Sequence, residues 1–209
     1  METQAVQQEQ DWIAQACQGD LAAFAHLVRV YQRPVYNLAY RLLGNVQDAE
    51  DAAQETFLRA FQHLRTYDPR RRFATWILSI ASHYCVDRLR RGRRSWSPLE
   101  GAEERSLPPA SGSDPEGEAV AREARDEVQR LLLLLGPRDR LTVVLYYWYG
   151  MSHSEIAEAT DSSVSAVKSR LHRARLALAK VLQEQQRAEA QGPSGEGVSL
   201  HRPREVEST

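Results

Sequence analysis

The chain has few cysteines, no long apolar run and no leader-like N-terminus. Its 209 residues include only two cysteines, Cys17 and Cys85, whereas a small secreted domain held by disulfides usually has more, more closely spaced. No apolar stretch reaches the roughly 18 residues that suggest a membrane span. The opening METQAVQQEQDW lacks a basic segment followed by an apolar one. We therefore expect a soluble protein in a reducing cytoplasm.

Motifs for catalysis and for metal binding are missing as well. The sequence contains no Gly-rich phosphate loop, nucleophile elbow or HExxH motif. Cys17, His83 and Cys85 make a poor zinc site, because a closed site takes four ligands and because His83 and Cys85 lie two apart on a predicted helix and point in different directions. We expect no enzymatic activity of the chain alone, no metal and no cofactor.

Signals for β-strands and for internal repeats are absent, and two segments lack apolar periodicity. Residues 95–117 (SWSPLEGAEERSLPPASGSDPEG) and the residues from Ala188 onward are rich in Pro, Gly, Ser and acids. Such segments bury too little apolar surface to offset the entropy of ordering. We therefore predict an all-α chain with two small helical domains. The predicted boundaries are an N-terminal extension at 1–18, a first domain at 19–94, a flexible acidic linker at 95–117, a second domain at 118–187 and a disordered tail at 188–209.

The sequence of the first domain predicts four helix-forming stretches with recognisable ends. Asp20 precedes an apolar stripe of helical spacing and is a predicted N-cap. Pro34 should break or kink that helix. The next run ends at Gly44, a residue suited to the left-handed position after a helix. A third helix should start near Gln47, and a fourth should cover about residues 75–90.

The sequence of the second domain predicts a helix-turn-helix. An amphipathic segment at about 119–135 is followed by another that closes at Gly150. Ser152 and Glu155 then fit a capping box that opens a short helix. Asp161 lies in the following turn, and a longer helix begins directly after it. Two helices joined by such a short turn match the helix-turn-helix layout.

The last helix, which contains SSVSAVKSRLHRAR, has one apolar stripe and a basic opposite face. No carboxylate occurs between Asp161 and Glu184 to neutralise that face. A solvated helix in an ordinary bundle is the alternative, but solvated faces usually mix both signs of charge. A helix-turn-helix places this face in the DNA major groove. The predicted base contacts are Lys168, Ser169, His172 and Arg173, and Arg170 and Arg175 suit phosphates. Ser165 lies on the same polar face and is a further predicted DNA contact.

The formal net charge of −1 hides segments of opposite sign. Residues 65–94 carry nine arginines against only Asp68 and Asp87, and aromatic residues are interleaved with them. Cations that follow a backbone and rings on which bases stack suit single-stranded nucleic acid, although a charge run can also be a solubilising surface. The third helix is acidic instead. Its carboxylates favour a protein-binding or solvated face over a catalytic magnesium site.

Four segments resemble the extracytoplasmic-function (ECF) sigma factors, the small two-domain promoter-specificity subunits of bacterial RNA polymerase. GDLAAFAHLVRVYQRPVYNLAYRLLGN resembles the opening helices of the family, and DAEDAAQETFLRAF resembles its polymerase-binding segment. FATWILSIASHYCVDRLRRGRR resembles the segment that opens and reads the minus-ten element. MSHSEIAEATDSSVSAVKSRLHRAR resembles the reader of the minus-thirty-five element.

The resemblance implies a role for each surface. Docking on the clamp helices of the largest polymerase subunit would use Asp48, Glu50, Asp51, Gln54, Glu55 and Phe57. The loop from Arg65 to Phe73 would help to capture a flipped base. Recognition of the melted minus-ten strand would use Arg71, Arg72, Phe73, Trp76, His83, Arg88, Arg90 and Arg91, with His83 where the family usually has Asn. The linker would run toward the RNA exit path, and an anti-sigma factor commonly holds such proteins inactive.

Two other classes of protein remain open from the residues alone. A free-standing DNA-binding repressor or activator needs only the helix-turn-helix, which leaves the first domain unexplained. An RNA-binding or scaffold protein would bind single strands through the Arg65–Arg94 segment without promoter preference.

Overall fold

The computed structural model describes the backbone of residues 2–92 and 115–190, with side chains at 6–92 and 120–188. Its elements, in chain order, are α1 (Glu2–Cys17), α2 (Leu21–Leu43), α3 (Val46–His63), a 3-10 turn (Leu64–Thr66), α4 (Phe73–Gly92), α5 (Pro115–Leu133), α6 (Pro137–Tyr147), α7 (His153–Ala159) and α8 (Val164–Ala190). No strand occurs within these ranges. The predicted all-α class is therefore confirmed.

The predicted ends of α2 are confirmed. Asp20 is the N-cap, and its Oδ1 accepts hydrogen bonds from the backbone N–H groups of Ala22 at 2.7 Å and Ala23 at 3.1 Å. Gly44 ends the helix with φ of 86°, and its N–H donates to the carbonyl of Tyr40. The asparagine that follows caps α3 in turn, since Oδ1 of Asn45 accepts from the N–H of Asp48 at 2.7 Å.

Of the break or kink predicted at Pro34, the break is wrong, because α2 runs through that residue as a single helix. Proline removes one helical hydrogen bond, to the carbonyl of Val30. Val30 is 46% exposed, so water can satisfy that carbonyl. Val35 and Leu38, one turn on, are fully buried. Their packing offsets the local cost and keeps the helix whole.

Helix α2 forms the centre of the first domain and packs against α1, α3 and α4. Its buried leucines meet small residues of α3, such as Ala49 and Ala52, which allow close approach. Helix α1 belongs to this packing, although residues 1–18 are predicted to be an extension outside the first domain. Trp12 stacks on His26 with 4.8 Å between ring centroids. The hydroxyl of Tyr31 donates to Glu9 at 2.6 Å.

In the second domain α6, α7 and α8 pack around Leu145, Ile156 and Leu171, each at most 2% exposed. The capping box is confirmed: the N–H of Glu155 donates to Ser152 Oγ at 3.2 Å, and the N–H of Ser152 donates to Glu155 Oε2 at 2.8 Å. Asp161 takes a positive φ of 47° in the turn, a conformation that Asp tolerates better than most residues. The helix-turn-helix is therefore present as predicted.

The two domains touch directly. The guanidinium of Arg140, 6% exposed, donates to the carbonyls of Leu42, of Leu133 at 2.9 Å and of Leu135 at 3.0 Å. These carbonyls lie at the C-terminal ends of α2 and α5, where a cation complements the helix dipole. The hydroxyl of Tyr149 donates to the carbonyl of Pro34 at 2.6 Å. The second domain is thereby packed against α2.

Most of the predicted linker and tail lie outside the described residues. Helix α5 begins at Pro115, so the last three residues of the predicted linker, 115–117, are helical. Helix α8 runs to Ala190, so residues 188–190 of the predicted tail are helical too. Among the described helices, none is long and apolar enough to cross a membrane.

Candidate nucleic-acid interface

The polar face of α8 is exposed opposite a buried stripe. Val167, Leu171 and Ala174 are at most 2% exposed and fix the orientation of the helix. The helical spacing of this stripe predicts that it begins at Val164, but Val164 is 39% exposed. Ser165 and the four predicted base contacts all lie on the exposed side; the four are Lys168, Ser169, His172 and Arg173. The structure therefore brings them together on one surface.

The two predicted phosphate contacts flank that surface in different settings. Arg170 is half-buried, and burial lowers the pKa of its guanidinium, with Arg138 adding like charge nearby. Arg175 is exposed, lies over the rings of Tyr146 and Tyr147, and donates from Nε to the Tyr147 hydroxyl at 2.9 Å. These rings restrict the arginine and so pre-orient it.

One carboxylate does approach the basic face, from another helix. Asp139 of α6 pairs with Arg173, with 3.1 Å between Oδ1 and Nη2. Sequence reasoning misses this contact, because it considers only the acids of α8 itself. Arg173 keeps 61% of its side chain exposed, so the ion pair is of the surface type that contributes little and exchanges readily.

The loop before α4 is shaped by aromatic packing. Tyr67, Phe73 and Trp76 form one ring cluster with centroids 5.2 to 5.4 Å apart. Phe73, a predicted minus-ten contact, is only 3% exposed, so it supports the loop and offers almost no surface. Trp76 is half-buried. The hydroxyl of Tyr67 donates to the carbonyl of Arg71, which closes the loop.

The loop arginines are held by carboxylates. Arg70 pairs with Asp68, with 2.7 Å between Nη2 and Oδ2; hydrogen bonds from Arg70 lower the pKa of Asp68 to about 2. Arg71 pairs with Glu158, and Arg72 approaches Glu155 at 3.4 Å. Both glutamates belong to α7 of the second domain, a pairing that no local sequence pattern reveals.

The remaining predicted minus-ten contacts are spread along α4. Arg88 pairs with Asp48 of α3, Arg90 lies 3.8 Å from Asp87, and His83 and Arg91 are exposed. From Phe73 to Arg91 the helix rises by about 27 Å at 1.5 Å per residue. The eight residues therefore form a long track rather than one compact patch.

The acidic helix α3 presents a mixed surface. Glu50 and Gln54 are exposed and Asp51 is half-buried, whereas Asp48 is engaged by Arg88 and Glu55 by Arg59 at 2.7 Å. Phe57 is half-buried. Two apolar side chains on the same helix are exposed as well and were not predicted as part of this surface: Leu58 at 58% and Phe61 at 43% exposure. Large exposed apolar groups ringed by charge are typical of protein interfaces. In the sequence, the residue that could indicate this apolar surface is Leu58, because it does not lie on the buried stripe of α3.

The described residues contain no group of three or more His, Cys, Asp or Glu that could hold a metal ion. Cys85 is fully buried, and burial raises the pKa of its thiol to about 12.

Comparisons with known proteins agree with this arrangement. The family model for Sigma-70 region 2 matches residues 27–95, and the model for Sigma-70, region 4 matches residues 125–178. The ECF RNA polymerase sigma factor SigW of Bacillus subtilis is 38% identical over 178 residues, which cover 82% of this chain and 95% of SigW.

A second relative is known both as a sequence and as a structure. The RNA polymerase sigma factor CnrH of Cupriavidus metallidurans is 32% identical over 174 residues, 81% of this chain and 91% of CnrH. The solved structure of CnrH in complex with the cytosolic domain of CnrY matches with a TM-score of 0.63 and 28% identity, over 85% of this chain and 98% of that one. The chain belongs to the ECF RNA polymerase sigma factors, a family of non-enzymatic factors for promoter-directed transcription initiation.

Proposed function

We propose that this sigma factor binds core RNA polymerase through α3, reads the minus-thirty-five element as duplex through α8, and reads the minus-ten element as a melted strand through the loop and α4. The observation that carries the proposal is the exposed basic face of α8, held outward by a fully buried stripe. The factor acts where the polymerase is, in the cytoplasm.

The minus-thirty-five role follows from the chemistry of that face. Lys168 and Arg173 are donors that suit guanine O6 and N7, and each good base contact adds roughly 1 to 3 kcal/mol of discrimination. Ser169 and His172 lie on the same face and extend the contact surface. Arg170 and Arg175 at its flanks bind phosphates and make the affinity dependent on salt.

The minus-ten role is supported by the length and charge of the α4 surface. Arg90 and Arg91 lie at one end of the helix and Arg71 and Arg72 just before the other, so an extended strand meets cations at both ends. The half-buried Trp76 offers a ring to an unstacked base. Stacking of roughly 1 to 3 kcal/mol for each base offsets part of the cost of opening the duplex.

The polymerase role of α3 is supported by charge and exposed apolar area together. The carboxylates of Glu50 and Asp51 would repel DNA but suit a basic protein partner. Gln54 beside them adds hydrogen-bonding groups, and Leu58 supplies an apolar anchor. We extend the proposal to regulation: CnrH was solved bound to the cytosolic domain of another protein, CnrY, and we propose that an anti-sigma factor binds and restrains this chain.

Run-off transcription with purified core polymerase on a cognate promoter tests the DNA-binding assignment. We expect Lys168→Ala and Arg173→Ala each to lower the yield by about tenfold, which corresponds to roughly 1.4 kcal/mol, while co-elution with core polymerase stays unchanged. Lys180→Ala is the matched control, because Lys180 lies on the same helix, 77% exposed and outside the site. Equal yields from all three variants would contradict the assignment.

A further inference from the structure

We propose that the outer face of α7 is a docking surface for the arginine loop of the first domain. In this closed arrangement, in which the two domains are in contact, Glu158 pairs with Arg71 and Glu155 pairs with Arg72. The two arginines are then not available to single-stranded DNA until the domains separate. The proposal rests on the minus-ten role proposed above for these two arginines. It adds a self-inhibiting contact between the two domains.

The contact joins residues that are far apart in sequence. Glu158 Oε1 accepts a hydrogen bond from Arg71 Nε across 87 residues, and Glu155 Oε1 lies 3.4 Å from Arg72 Nη1 across 83 residues. The two glutamates are three apart on α7, so both project from one side of the helix. The two arginines are adjacent in the loop. Each domain therefore contributes a matched pair of charges.

Glu155 is fixed before it meets the loop. Its Oε2 accepts from the N–H of Ser152 at 2.8 Å in the capping box, and its Oε1 faces Arg72. Hydrogen bonds from Ser152 are the main cause that lowers the pKa of Glu155, and Arg72 contributes further. The carboxylate is therefore ionised at neutral pH and has little rotamer freedom left to lose on docking.

Carboxylates and phosphates compete for the same guanidinium atoms. Arginine binds both through its N–H fork. A DNA phosphate therefore cannot take up the Nε of Arg71 while Glu158 occupies it. The carboxylates of α7 therefore take the positions that phosphates of the single strand are proposed to take at the loop.

Contacts elsewhere in the domain interface hold α7 in position. Tyr149 bonds to the carbonyl of Pro34, Arg140 bridges the ends of α2 and α5, and Arg41 lies 5.0 Å from the ring centroid of Trp148. Exposed ion pairs contribute little when formed alone. Because the interface already brings the partners together, their effective concentration is high.

The same interface is suited to release. Arg140 is buried, and the described hydrogen bonds of its guanidinium go to backbone carbonyls and not to a carboxylate. Its Nε has no hydrogen-bond partner in the described part of the chain, and burial lowers the pKa of the guanidinium. Burying a cation in this way carries a desolvation cost that limits the stability of the closed arrangement. A partner that separates the domains would recover that cost.

Closure affects only one of the two DNA surfaces. Lys168, Ser169 and His172 on α8 stay exposed in the closed arrangement. The contact therefore withholds the minus-ten loop and leaves the minus-thirty-five surface accessible. A chain in this state is predicted to bind duplex through α8 but to bind single strands weakly.

The test variant is Glu155→Gln with Glu158→Gln in the full chain. Glutamine keeps the capping box, because its side-chain oxygen can accept from Ser152, and neither glutamate belongs to the proposed DNA surfaces. Glu127→Gln with Glu184→Gln makes the same change of net charge on α5 and α8, where the ion-pair partners are Arg130 and Lys180 of the same helices. Glu127 also accepts a hydrogen bond from Gln185 of α8 at 3.3 Å, which the side-chain oxygen of glutamine can still accept. It is the matched control.

Phenylglyoxal labelling of arginines, resolved by tandem mass spectrometry, tests the docking without any DNA. Arg70, with 89% of its side chain exposed, serves as the internal reference. We expect Arg71 and Arg72 to react about three- to tenfold faster in the test variant than in the wild type, as expected from the loss of two exposed ion pairs, with no change in the control. Equal rates in all three proteins would overturn the docking surface.

Fluorescence anisotropy with a labelled single-stranded 20-mer of mixed sequence tests the inhibition. We expect the test variant to bind about three- to tenfold more tightly than the wild type and the control at low salt, and this advantage to shrink as salt screens the pairs. If labelling rises but the affinities stay equal, docking stands and inhibition is overturned. If labelling rises and no protein binds the 20-mer, docking again stands, and the minus-ten role of the loop is refuted instead.

Discussion

Arg88 of α4 forms an ion pair with Asp48 of α3 and lies 3.8 Å from Asp51. Asp48 also accepts a hydrogen bond from Asn45 at 2.8 Å. The resemblance to sigma factors implies a polymerase contact for Asp48 and Asp51 and a DNA contact for Arg88. The pair joins these two surfaces through side chains that are each about one third exposed. A substitution on one of these surfaces should therefore also affect the other surface.

A double-mutant cycle on this pair should show coupling. We expect Arg88→Ala and Asp48→Ala each to lower the free energy of unfolding by about 1 kcal/mol, and the double variant to lower it by less than the sum, with a coupling of about 0.5 to 1 kcal/mol. Urea denaturation followed by circular dichroism measures both quantities. Strict additivity would mean that the pair does not form in solution.

Leu58 is predicted to anchor the polymerase interface. We expect Leu58→Glu to weaken binding to core polymerase at least about tenfold, because the variant removes an apolar contact and adds charge at a buried point of the complex. Val120→Glu is the control, since Val120 is similarly exposed at 66% but lies on α5. Surface-immobilised core polymerase and titrated factor give the dissociation constants. Equal affinities for the two variants would exclude Leu58 from the interface.

Gly44 is required by both its backbone and its neighbour. Its φ is 86°, and an added Cβ would lie 2.9 Å from Cδ2 of Leu133 on α5. We expect Gly44→Ala to lower the free energy of unfolding by about 1 to 2 kcal/mol, through left-handed strain and displacement of Leu133.

Gly92 provides the matched control for that change. A Cβ there meets no atom of the described residues within 4 Å, and the residue is the last of α4. Gly92→Ala should leave stability unchanged or raise it slightly, because alanine favours the helix. Thermal unfolding of both variants decides the matter; a loss at Gly92 equal to that at Gly44 would contradict the argument.

The two thiols should differ in reactivity. Burial raises the pKa of Cys85 to about 12, and it raises that of the half-buried Cys17 as well. The thiolate is the reactive form, so at pH 8 iodoacetamide should modify Cys17 slowly and leave Cys85 unmodified until denaturant is added. Mass spectrometry of the labelled native protein measures this. Labelling of native Cys85 as fast as Cys17 would show that the core around α4 is open.

Local features of the structure were predictable from the sequence. The Asp20 cap, the Gly44 terminus and the capping box of Ser152 and Glu155 depend on neighbouring residues, and each is found in place. The buried stripe of α8 follows from helical periodicity alone, apart from its exposed first residue, Val164. These features suffice for the fold class and for the helix-turn-helix.

Features that depend on tertiary packing were not predictable. The continuity of α2 through Pro34 depends on burial of the following turn, and the burial of Phe73 depends on Tyr31 and Tyr67 from other elements. The pairing of Arg71 with Glu158 depends on how the domains meet. No window of neighbouring residues contains this information.

Run-off transcription on a genomic promoter pool, with purified core polymerase in the presence and absence of the factor, tests the central claim most directly. The account predicts discrete transcripts only when both proteins are present, starting downstream of a shared pair of sequence elements. Transcripts that do not depend on the factor, or a palindromic footprint by the factor without polymerase, would contradict it.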